Sequence, residues 1–319
     1  MSELVGVDLG GTKVAAAALR GGQLGDSLVE PTNRSSATAL MDQLVELVAR
    51  VRSGKVSAVG IGVPSVVEFE TGRVVSSVNV PLADLPLRQL LDMRLGAPVF
   101  IDNDATLAAL AEAHDAQLRP VARNLVMLTV GTGVGGGLVV GGRIYRGATG
   151  GAGELGHTIV GLPLLEQAVP APAGFPQPGS LETLASGRAL DRLAAQAAQS
   201  HPASALGRLP AEGRPILGRD ALQAARDGDR VAARVVETWA ERVGIGIANA
   251  INTFDPDEVV IGGGGALAGE LLLAPATRVA RGYVLPGVGT RTVIRLARHG
   301  VRAGVLGAAL LAMHELEES

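Results

Sequence analysis

Asp8-Leu-Gly-Gly-Thr-Lys13 joins two apolar runs, Glu3 to Leu9 and Val14 to Leu19. The first run predicts a buried strand. Glycine pairs stand on both sides of the second run, which is only six residues long. This spacing favours a tight β-meander over a helix, with a third strand near Gly25 to Val29.

Beyond this meander the sequence alternates between helical and extended patterns. Thr38 to Arg52 carries apolar residues at helical spacing, and Val56 to Val63 is an apolar run that ends at a proline. Pro98 to Ile101 predicts another strand, and Asp104 to Ala116 predicts a helix. Alternation of strand and helix is typical of the α/β class.

A similar order begins again at Leu125. Leu125 to Val130 and Leu138 to Val140 predict two strands joined by a glycine loop. Helices, a strand at Glu258 to Ile261 and a final helix at Gly304 to Leu316 follow. The sequence therefore predicts two related α/β domains with a cleft between them.

The composition excludes several classes of protein. A chain of 319 residues corresponds to about two domains of roughly 150 residues. It has no cysteine, which rules out disulfides, thiolate metal sites and a cysteine nucleophile. Only 2% of residues are aromatic and the net charge is −3, so neither nucleic acid nor a membrane surface is expected as a partner. Glu3, Asp8 and Lys13 interrupt any signal-peptide core, and we expect a cytoplasmic protein.

The first glycine loop has the composition of a phosphate site. A carboxylate follows a strand, two glycines let backbone amides approach an anion, and a hydroxyl follows, so that Mg²⁺ could lie near the carboxylate. A plain glycine hairpin is the alternative. The candidate nucleotide-binding residues are Asp8, Gly10, Gly11, Thr12 and Lys13.

Two further glycine loops invite the same interpretation. Gly131 to Gly137 satisfies the G-x-G-x-x-G pattern of dinucleotide-binding loops, but such a loop opens a helix, whereas apolar residues here continue as a hairpin. Considered together with the first loop, Gly131 to Gly137 is better interpreted as a second phosphate-binding loop, contributed by the other domain. Gly262 to Gly265 could accommodate a nucleoside or simply allow close packing of a helix.

Polar residues at two places suggest catalysis. Asp102-Asn103-Asp104 lies between a predicted strand and a helix, where such residues commonly cap the helix. Alternatively, Asp104 is a general base and Asn103 orients a polyol hydroxyl. Glu154, His157 and Glu182 form a second candidate set for a polar ligand. The six arginines from Arg278 to Arg302 favour a solvated face or subunit contact over nucleic-acid binding.

Together these motifs resemble the ROK family of sugar kinases and sugar-responsive repressors, in the superfamily of hexokinase, actin and Hsp70. The resemblance covers almost the whole chain. Its motifs are Asp8-Leu-Gly-Gly-Thr-Lys13, Gly60-Ile-Gly-Val-Pro64, Asn79, Asn103-Asp104-Ala105, Gly131-Thr-Gly133, Glu154-Leu-Gly-His157, Leu181-Glu182 with Ser186-Gly187, and Ile261 to Gly265.

The resemblance implies an α/β fold of two ribonuclease-H-like domains flanking a cleft. The first would comprise residues 1–116 with the C-terminal helix 303–319, and the second residues 117–302. Asp104 would be the catalytic base. The sugar would be bound by Ser65, Asn79, Asn103, Asp104, Glu154, His157 and Glu182. ATP with Mg²⁺ near Asp8 would be bound by the first loop together with Gly131, Thr132, Gly133, Gly263 and Gly264.

The implied activity is ATP-dependent phosphorylation of the 6-hydroxyl of a hexose, with glucose favoured. The alternatives are another hexose, such as fructose, N-acetylglucosamine or N-acetylmannosamine, and a non-catalytic sugar-binding regulator. Repressor members carry a helix-turn-helix before the first phosphate loop, for which a loop beginning at Asp8 leaves no room. The family also implies a homodimer or homotetramer.

Two departures from the family pattern stand out. Its zinc motif aligns with Ala173 to Glu182, where Ala173, Phe175 and Ser180 occupy the three cysteine positions. We therefore expect a zinc-free proline loop. Ser65 stands where the family often has a sugar-contacting glycine, which leaves the identity of the hexose open.

Overall fold

A computed structural model describes residues 3–77, 79–162, 171–172, 174–209 and 214–318. Its strands are β1 (Glu3–Leu9), β2 (Lys13–Arg20), β3 (Gln23–Leu24), β4 (Leu28–Pro31), β5 (Val56–Val63), β6 (Ser65–Glu68), β7 (Arg73–Ser77), β8 (Val99–Asn103), β9 (Leu125–Val130), β10 (Val134–Val140), β11 (Arg143–Ile144), β12 (Glu258–Gly262) and β13 (Val293–Leu296). Its helices are α1 (Ala37–Val51), α2 (Leu87–Leu95), α3 (Asp104–Glu112), α4 (Leu181–Ala185), α5 (Gly187–Ser200), α6 (Ala205–Arg208), α7 (Gly218–Arg226), α8 (Arg230–Phe254), α9 (Glu270–Tyr283) and α10 (Ala303–Glu318).

The opening meander forms one side of the first sheet, whose strand order is β3-β2-β1-β5-β8 with β4 beside β2. β1 is antiparallel to β2, while β5 runs parallel to both β1 and β8. The second apolar run is therefore a strand, as the flanking glycines predicted. Its residues from Val14 to Leu19 are all buried.

The second sheet repeats this order as β11-β10-β9-β12-β13, with β12 parallel to β13. The predicted second copy of the meander is thus confirmed. Val134–Val140 continues the glycine loop as a strand, so the G-x-G-x-x-G pattern does not open a helix here. The prediction that this pattern belongs to a hairpin rather than to a dinucleotide-binding loop is confirmed as well.

The chain divides into two compact units. The first comprises Met1–Leu125, Gly137–Gly153 and Arg298–Ser319, and the second comprises Val126–Gly136 and Glu154–Ala297. The division passes through β9 and β10. The domain boundaries expected at residues 116 and 302 stay a prediction.

In the first unit, the C-terminal helix α10 lies directly against β1 and β5. Glycine makes this approach possible, because a Cβ atom on Gly6 would lie 2.1 Å from the carbonyl oxygen of Val305 and one on Gly60 would lie 1.8 Å from that of Ala308. Gly307 of α10 gives the same closeness to α3. Gly60, the first glycine of the Gly60-Ile-Gly-Val-Pro64 motif, is therefore required by packing.

The second unit is organised around the long helix α8. Its residue Trp239 is buried and its indole nitrogen donates to the carbonyl oxygens of Ala185 and Ser186, at 2.8 and 3.2 Å. These two residues lie where α4 ends and α5 begins. Ser186 caps α5, and the separate short helix α4 precedes it.

Three details of the sequence-based expectation were wrong or missing. Helix α3 ends at Glu112 rather than Ala116, because the chain turns there and the carboxylate of Asp115 accepts from the amides of Gln117 and Arg119. The β6–β7 hairpin and helix α2 carried no periodicity strong enough to identify them. Within the described residues, no helix is both long and apolar enough to cross a membrane.

Candidate functional site

The first glycine loop is a closed turn. The amide of Gly10 donates to the carbonyl oxygen of Lys13 at 2.9 Å. Thr32 anchors the loop from the side, since its hydroxyl donates to the carbonyl of Gly10 at 2.7 Å and its amide donates to that of Thr12 at 3.1 Å. The hairpin and the phosphate-loop interpretations are therefore compatible, because the turn is a hairpin held in a fixed shape.

Asn79 lies beside this loop. A Cβ atom on Gly11 would lie 3.1 Å from the Cβ atom of Asn79, so the glycine leaves just enough room for that side chain. The structure thus brings a predicted sugar residue next to a predicted phosphate residue. Asn79 itself is exposed.

Asp8 occupies the end of β1, against the first turn of α10. A Cβ atom on Gly304 would lie 2.4 Å from its carboxylate. Burial raises the pKa of Asp8, and the positive charge of Lys13 opposes this effect. A cation at this place would favour the ionised form further.

The residues fit Mg²⁺ in the way that nucleotide-dependent enzymes use it. Mg²⁺ commonly takes one or two protein carboxylates and completes its shell with phosphate oxygens and water. Asp8 supplies such a carboxylate. Among the described residues, no three His, Asp or Glu side chains form a complete metal cage, so phosphate would have to supply other ligands.

The Asp102-Asn103-Asp104 turn joins β8 to α3. Asn103 is the N-cap, since its Oδ1 accepts from the amides of Ala105 at 2.9 Å and Thr106 at 3.2 Å. Asp104 is the first helical residue, and its Oδ1 also accepts from the amide of Ala105, at 2.8 Å. A carboxylate at this end of a helix is stabilised in its ionised form by the helix dipole. Capping and a base function are both compatible with this geometry.

Ser65 is adjacent to the same turn. Its carbonyl oxygen accepts from the Nδ2 atom of Asn103 at 3.4 Å. The side chain is buried, and its hydroxyl oxygen has no hydrogen-bond partner among the described residues. A buried hydroxyl without a partner costs free energy, which is consistent with a position that has a use other than stability.

In the second unit, the loop Gly131–Gly133 is also a closed turn. The amide of Gly131 donates to the carbonyl of Gly133 at 2.9 Å, and its own carbonyl accepts from the amide of Gly187 at 2.7 Å. Glu182 holds the far side, because its Oε2 accepts from the amide of Val134 at 2.8 Å. A Cβ atom on Gly133 would lie 2.3 Å from that oxygen, so a larger residue there would displace the carboxylate of Glu182. Thr132 is exposed at the tip.

Glu154 and His157 lie together at a one-turn 3-10 helix. The Nε2 atom of His157 is 3.8 Å from a carboxylate oxygen of Glu154. Gly156 between them packs closely, because a Cβ atom there would lie 1.9 Å from the carbonyl oxygen of Val134. The structure thus places both Glu182 and the Glu154–His157 pair against the segment around Val134.

The residues do not fit the zinc site of the resembling family. Phe175 stands at one cysteine position, and its ring meets that of His157 edge-on, with 5.4 Å between centroids. Ser180 stands at another and caps α4 by accepting from the amide of Thr183. The third position, Ala173, lies outside the described residues. The Nδ1 atom of His157 is buried and has no partner among the described residues.

The third glycine loop packs on the end of β9. A Cβ atom on Gly263 would lie 2.6 Å from the carbonyl oxygen of Val130, and Gly263 has a φ of +74°. Close packing therefore explains this glycine. Gly264 next to it faces open space and remains available for the predicted nucleotide contact.

Sequence reasoning missed one group of residues at the Asp104 turn. Asp102 accepts from the Nε atom of Arg146 at 2.7 Å, and the guanidinium carbon of Arg146 lies 3.4 Å from the ring centroid of Phe69. Burial raises the pKa of Asp102, and Arg146 opposes that shift. Because these residues are far apart in the chain and form no motif, no signal in the sequence could have joined them.

The arginine-rich segment bonds within the protein. Arg278 binds Glu237 and Glu241. Arg281 donates to the carbonyls of Gly289 and Thr292. Both arginines thus have partners within the protein, and the expectation that this segment does not bind nucleic acid stays a prediction.

Comparison with known proteins gives a consistent result. The sequence model of the "ROK family" matches residues 4–315. A glucokinase from Halalkalibacterium halodurans is 36% identical, covering 96% of this chain and 94% of that protein. The crystal structure of a ROK family glucokinase from Streptomyces griseus in complex with glucose and AMPPNP is 33% identical, with a TM-score of 0.78 over 98% of this chain and all of that one. The ROK hexokinase from Thermus thermophilus is 36% identical, with a TM-score of 0.78 over 99% of this chain and 100% of that one. These matches confirm the fold class.

Proposed function

The chain belongs to the ROK family, and we propose that it is an ATP-dependent kinase that phosphorylates the 6-hydroxyl of glucose. The observation that carries the proposal is similarity over nearly the whole chain to a glucokinase and to a structure that holds glucose and an ATP analogue. The glycine loops and the carboxylate at the start of α3 supply residue types that such a reaction needs.

Asp104 acts as the general base in this proposal. Its carboxylate takes the proton of the sugar 6-hydroxyl while that oxygen attacks the γ-phosphorus of ATP. The bond from the γ-phosphorus to the β,γ-bridging oxygen then breaks, and ADP leaves. Phosphoryl transfer depends mainly on positioning and on stabilisation of charge, so a single carboxylate base suffices.

Other residues bind and orient the substrates. Asn103 is fixed as the cap of α3, and its Nδ2 atom donates one hydrogen to the carbonyl oxygen of Ser65. Its second amide hydrogen orients a sugar hydroxyl in this proposal. Glu154, His157 and Glu182 are the proposed sugar contacts of the second unit, and Ser65 and Asn79 those of the first. Backbone amides of the glycine loops bind phosphate oxygens, apart from those of Gly10 and Gly131, which close the turns. When bound, Mg²⁺ would neutralise charge on the phosphates, and Asp8 would hold it.

A coupled assay with a panel of hexoses tests the proposal. We expect ATP-dependent ADP formation with glucose, at a higher kcat/KM than with fructose, N-acetylglucosamine or N-acetylmannosamine. Parallel reactions with other nucleotides and polyphosphate identify the donor. Higher kcat/KM with another hexose would replace glucose as the substrate, and no turnover with any hexose would contradict the kinase assignment.

We also propose a cytoplasmic location, since ATP is the donor in this reaction. A homodimer or homotetramer is the expected assembly. Sedimentation of the purified protein measures the assembly directly, and a monomer at micromolar concentration would contradict it.

A further inference from the structure

Arg146 makes three contacts that hold its side chain in one place. Its Nε donates to Asp102 at 2.7 Å, its Nη2 donates to Glu315 of α10 at 3.1 Å, and its guanidinium carbon lies 3.4 Å from the ring centroid of Phe69, within cation–π distance. Its backbone carbonyl also accepts from the amide of Ala152 at 3.0 Å. A partly buried arginine with this many partners has little rotamer freedom.

Asp102 connects this arginine to the turn that carries the proposed base. One of its carboxylate oxygens accepts from Arg146, and the other accepts from the amide of Asn103 at 2.8 Å. Asn103 in turn caps α3, which begins at Asp104. The bonds therefore run in an unbroken series from Arg146 through Asp102 and Asn103 to the first turn of α3.

Because Asp102 is buried, the state of its carboxylate depends on its bond to Arg146. Only 4% of Asp102 is exposed, and a buried carboxylate needs a cationic or hydrogen-bonding partner to stay ionised. If Arg146 were removed, the carboxylate would lose its cation and its bond to the Asn103 amide would weaken. The cap of α3 would then be held less firmly.

We propose that Arg146 is a positioning residue that sets the geometry of Asn103 and Asp104 through the buried carboxylate of Asp102. The proposal rests on the proposed function for the identity of the base, but its structural part does not. Arg146 acts on the reaction through Asp102 and the cap of α3. Its contacts with Phe69 and Glu315 hold its guanidinium in place.

Kinetics of matched variants test the catalytic part. We expect Arg146→Met to lower kcat at least tenfold while the KM for ATP stays within about twofold, and Arg146→Lys to recover part of the loss because it keeps the charge without the planar fork. In an Asp102→Asn background, Arg146→Met should lower kcat little further, because the two residues act in series. Arg143→Met is the control: Arg143 and Arg146 both line a cavity of about 540 Å³, and Arg146 is the arginine that donates to Asp102.

Hydrogen exchange gives a second readout that needs no turnover. The amides of Asn103, Ala105 and Thr106 should exchange at least tenfold faster in Arg146→Met than in the wild-type protein, and at the wild-type rate in Arg143→Met. Wild-type exchange rates in Arg146→Met would overturn the proposal, as would a kcat within twofold of wild type. If the wild-type protein phosphorylates no hexose, the proposed function fails on its own, and the exchange rates still decide the positioning role.

Discussion

The proposed base, Asp104, owes its position to the point where a strand ends and a helix begins. Its neighbours already satisfy the helix start, because Asn103 provides the cap. Helix α3 therefore does not need the carboxylate of Asp104 as a second cap. A substitution that keeps its shape should therefore affect chemistry far more than folding.

Asp104→Asn should lower kcat by roughly 10²- to 10⁴-fold, the range expected when a general base is lost. The dissociation constant for the sugar should change only several-fold, since the amide keeps the size and most hydrogen bonds of the carboxylate. Calorimetric titration and the coupled assay measure the two quantities. A near-normal kcat would show that another group takes the proton.

Glu3 gives a prediction about pH. Hydrogen bonds from Arg20 and Ser53 lower the pKa of Glu3 to about 2. Because the folded pKa lies below that of the unfolded chain, the contribution to stability is present above the unfolded pKa of about 4.5 and is lost as the pH falls towards 2.

Glu3→Gln should therefore lower the free energy of unfolding by about 1–2 kcal/mol near neutral pH and by less at about pH 3. Urea denaturation at the two pH values measures this difference. Glu46→Gln is the control, because the side chain of Glu46 is 71% exposed. An equal effect of Glu3→Gln at both pH values would rule out the linkage.

At the scale of the elements, the packing of helix α10 against β1 and β5 depends on small residues. Gly60→Ala would place a Cβ atom 1.8 Å from the carbonyl oxygen of Ala308, so the helix or the strand must shift. We expect a loss of at least about 2 kcal/mol of unfolding free energy. Chemical denaturation measures it.

Gly282→Ala is the matched control in helix α9. A Cβ atom there meets nothing within 4 Å, so this change should be neutral or stabilise the protein by up to about 1 kcal/mol. Equal stability of the Gly60→Ala variant and the wild-type protein would mean that α10 does not lie on the sheet as described.

The segment from Ala173 to Ser180 carries a prediction about metal content. Phe175 and Ser180 stand at two of the family's cysteine positions, and Phe175 packs on His157. Because the family's zinc site needs these thiolates, we expect a background level of less than about 0.1 zinc atoms per chain in protein purified without chelators. Elemental analysis measures this directly. Stoichiometric zinc would contradict the expectation.

The elements also show what the sequence can and cannot predict. The strand between two glycine pairs, β2, was predictable because periodicity and turn residues agreed. The contact of Gly60 with Ala308 was not, since it joins residues some 250 positions apart and glycine in a strand has several explanations. Likewise, Asn103 and Asp104 were recognisable from their motif, whereas Arg146 became visible only through its distance to Asp102.

At the scale of the whole molecule, each of the two sheets begins with a hairpin whose turn carries glycines and continues with parallel strands. Glycine and alanine largely replace aromatic residues as the means of close packing, as the 44 glycines of the chain suggest. The two phosphate-loop candidates are therefore products of the same local architecture, a tight turn between the first two strands.

Identification of the product of a reaction with glucose, ATP and Mg²⁺ tests the central claim most directly. Phosphorus NMR should show ADP and glucose 6-phosphate appearing together in equal amounts, with no such product from the Asp104→Asn variant over the same time. Absence of a sugar phosphate from the wild-type reaction, or its formation at the same rate by the variant, would contradict the account.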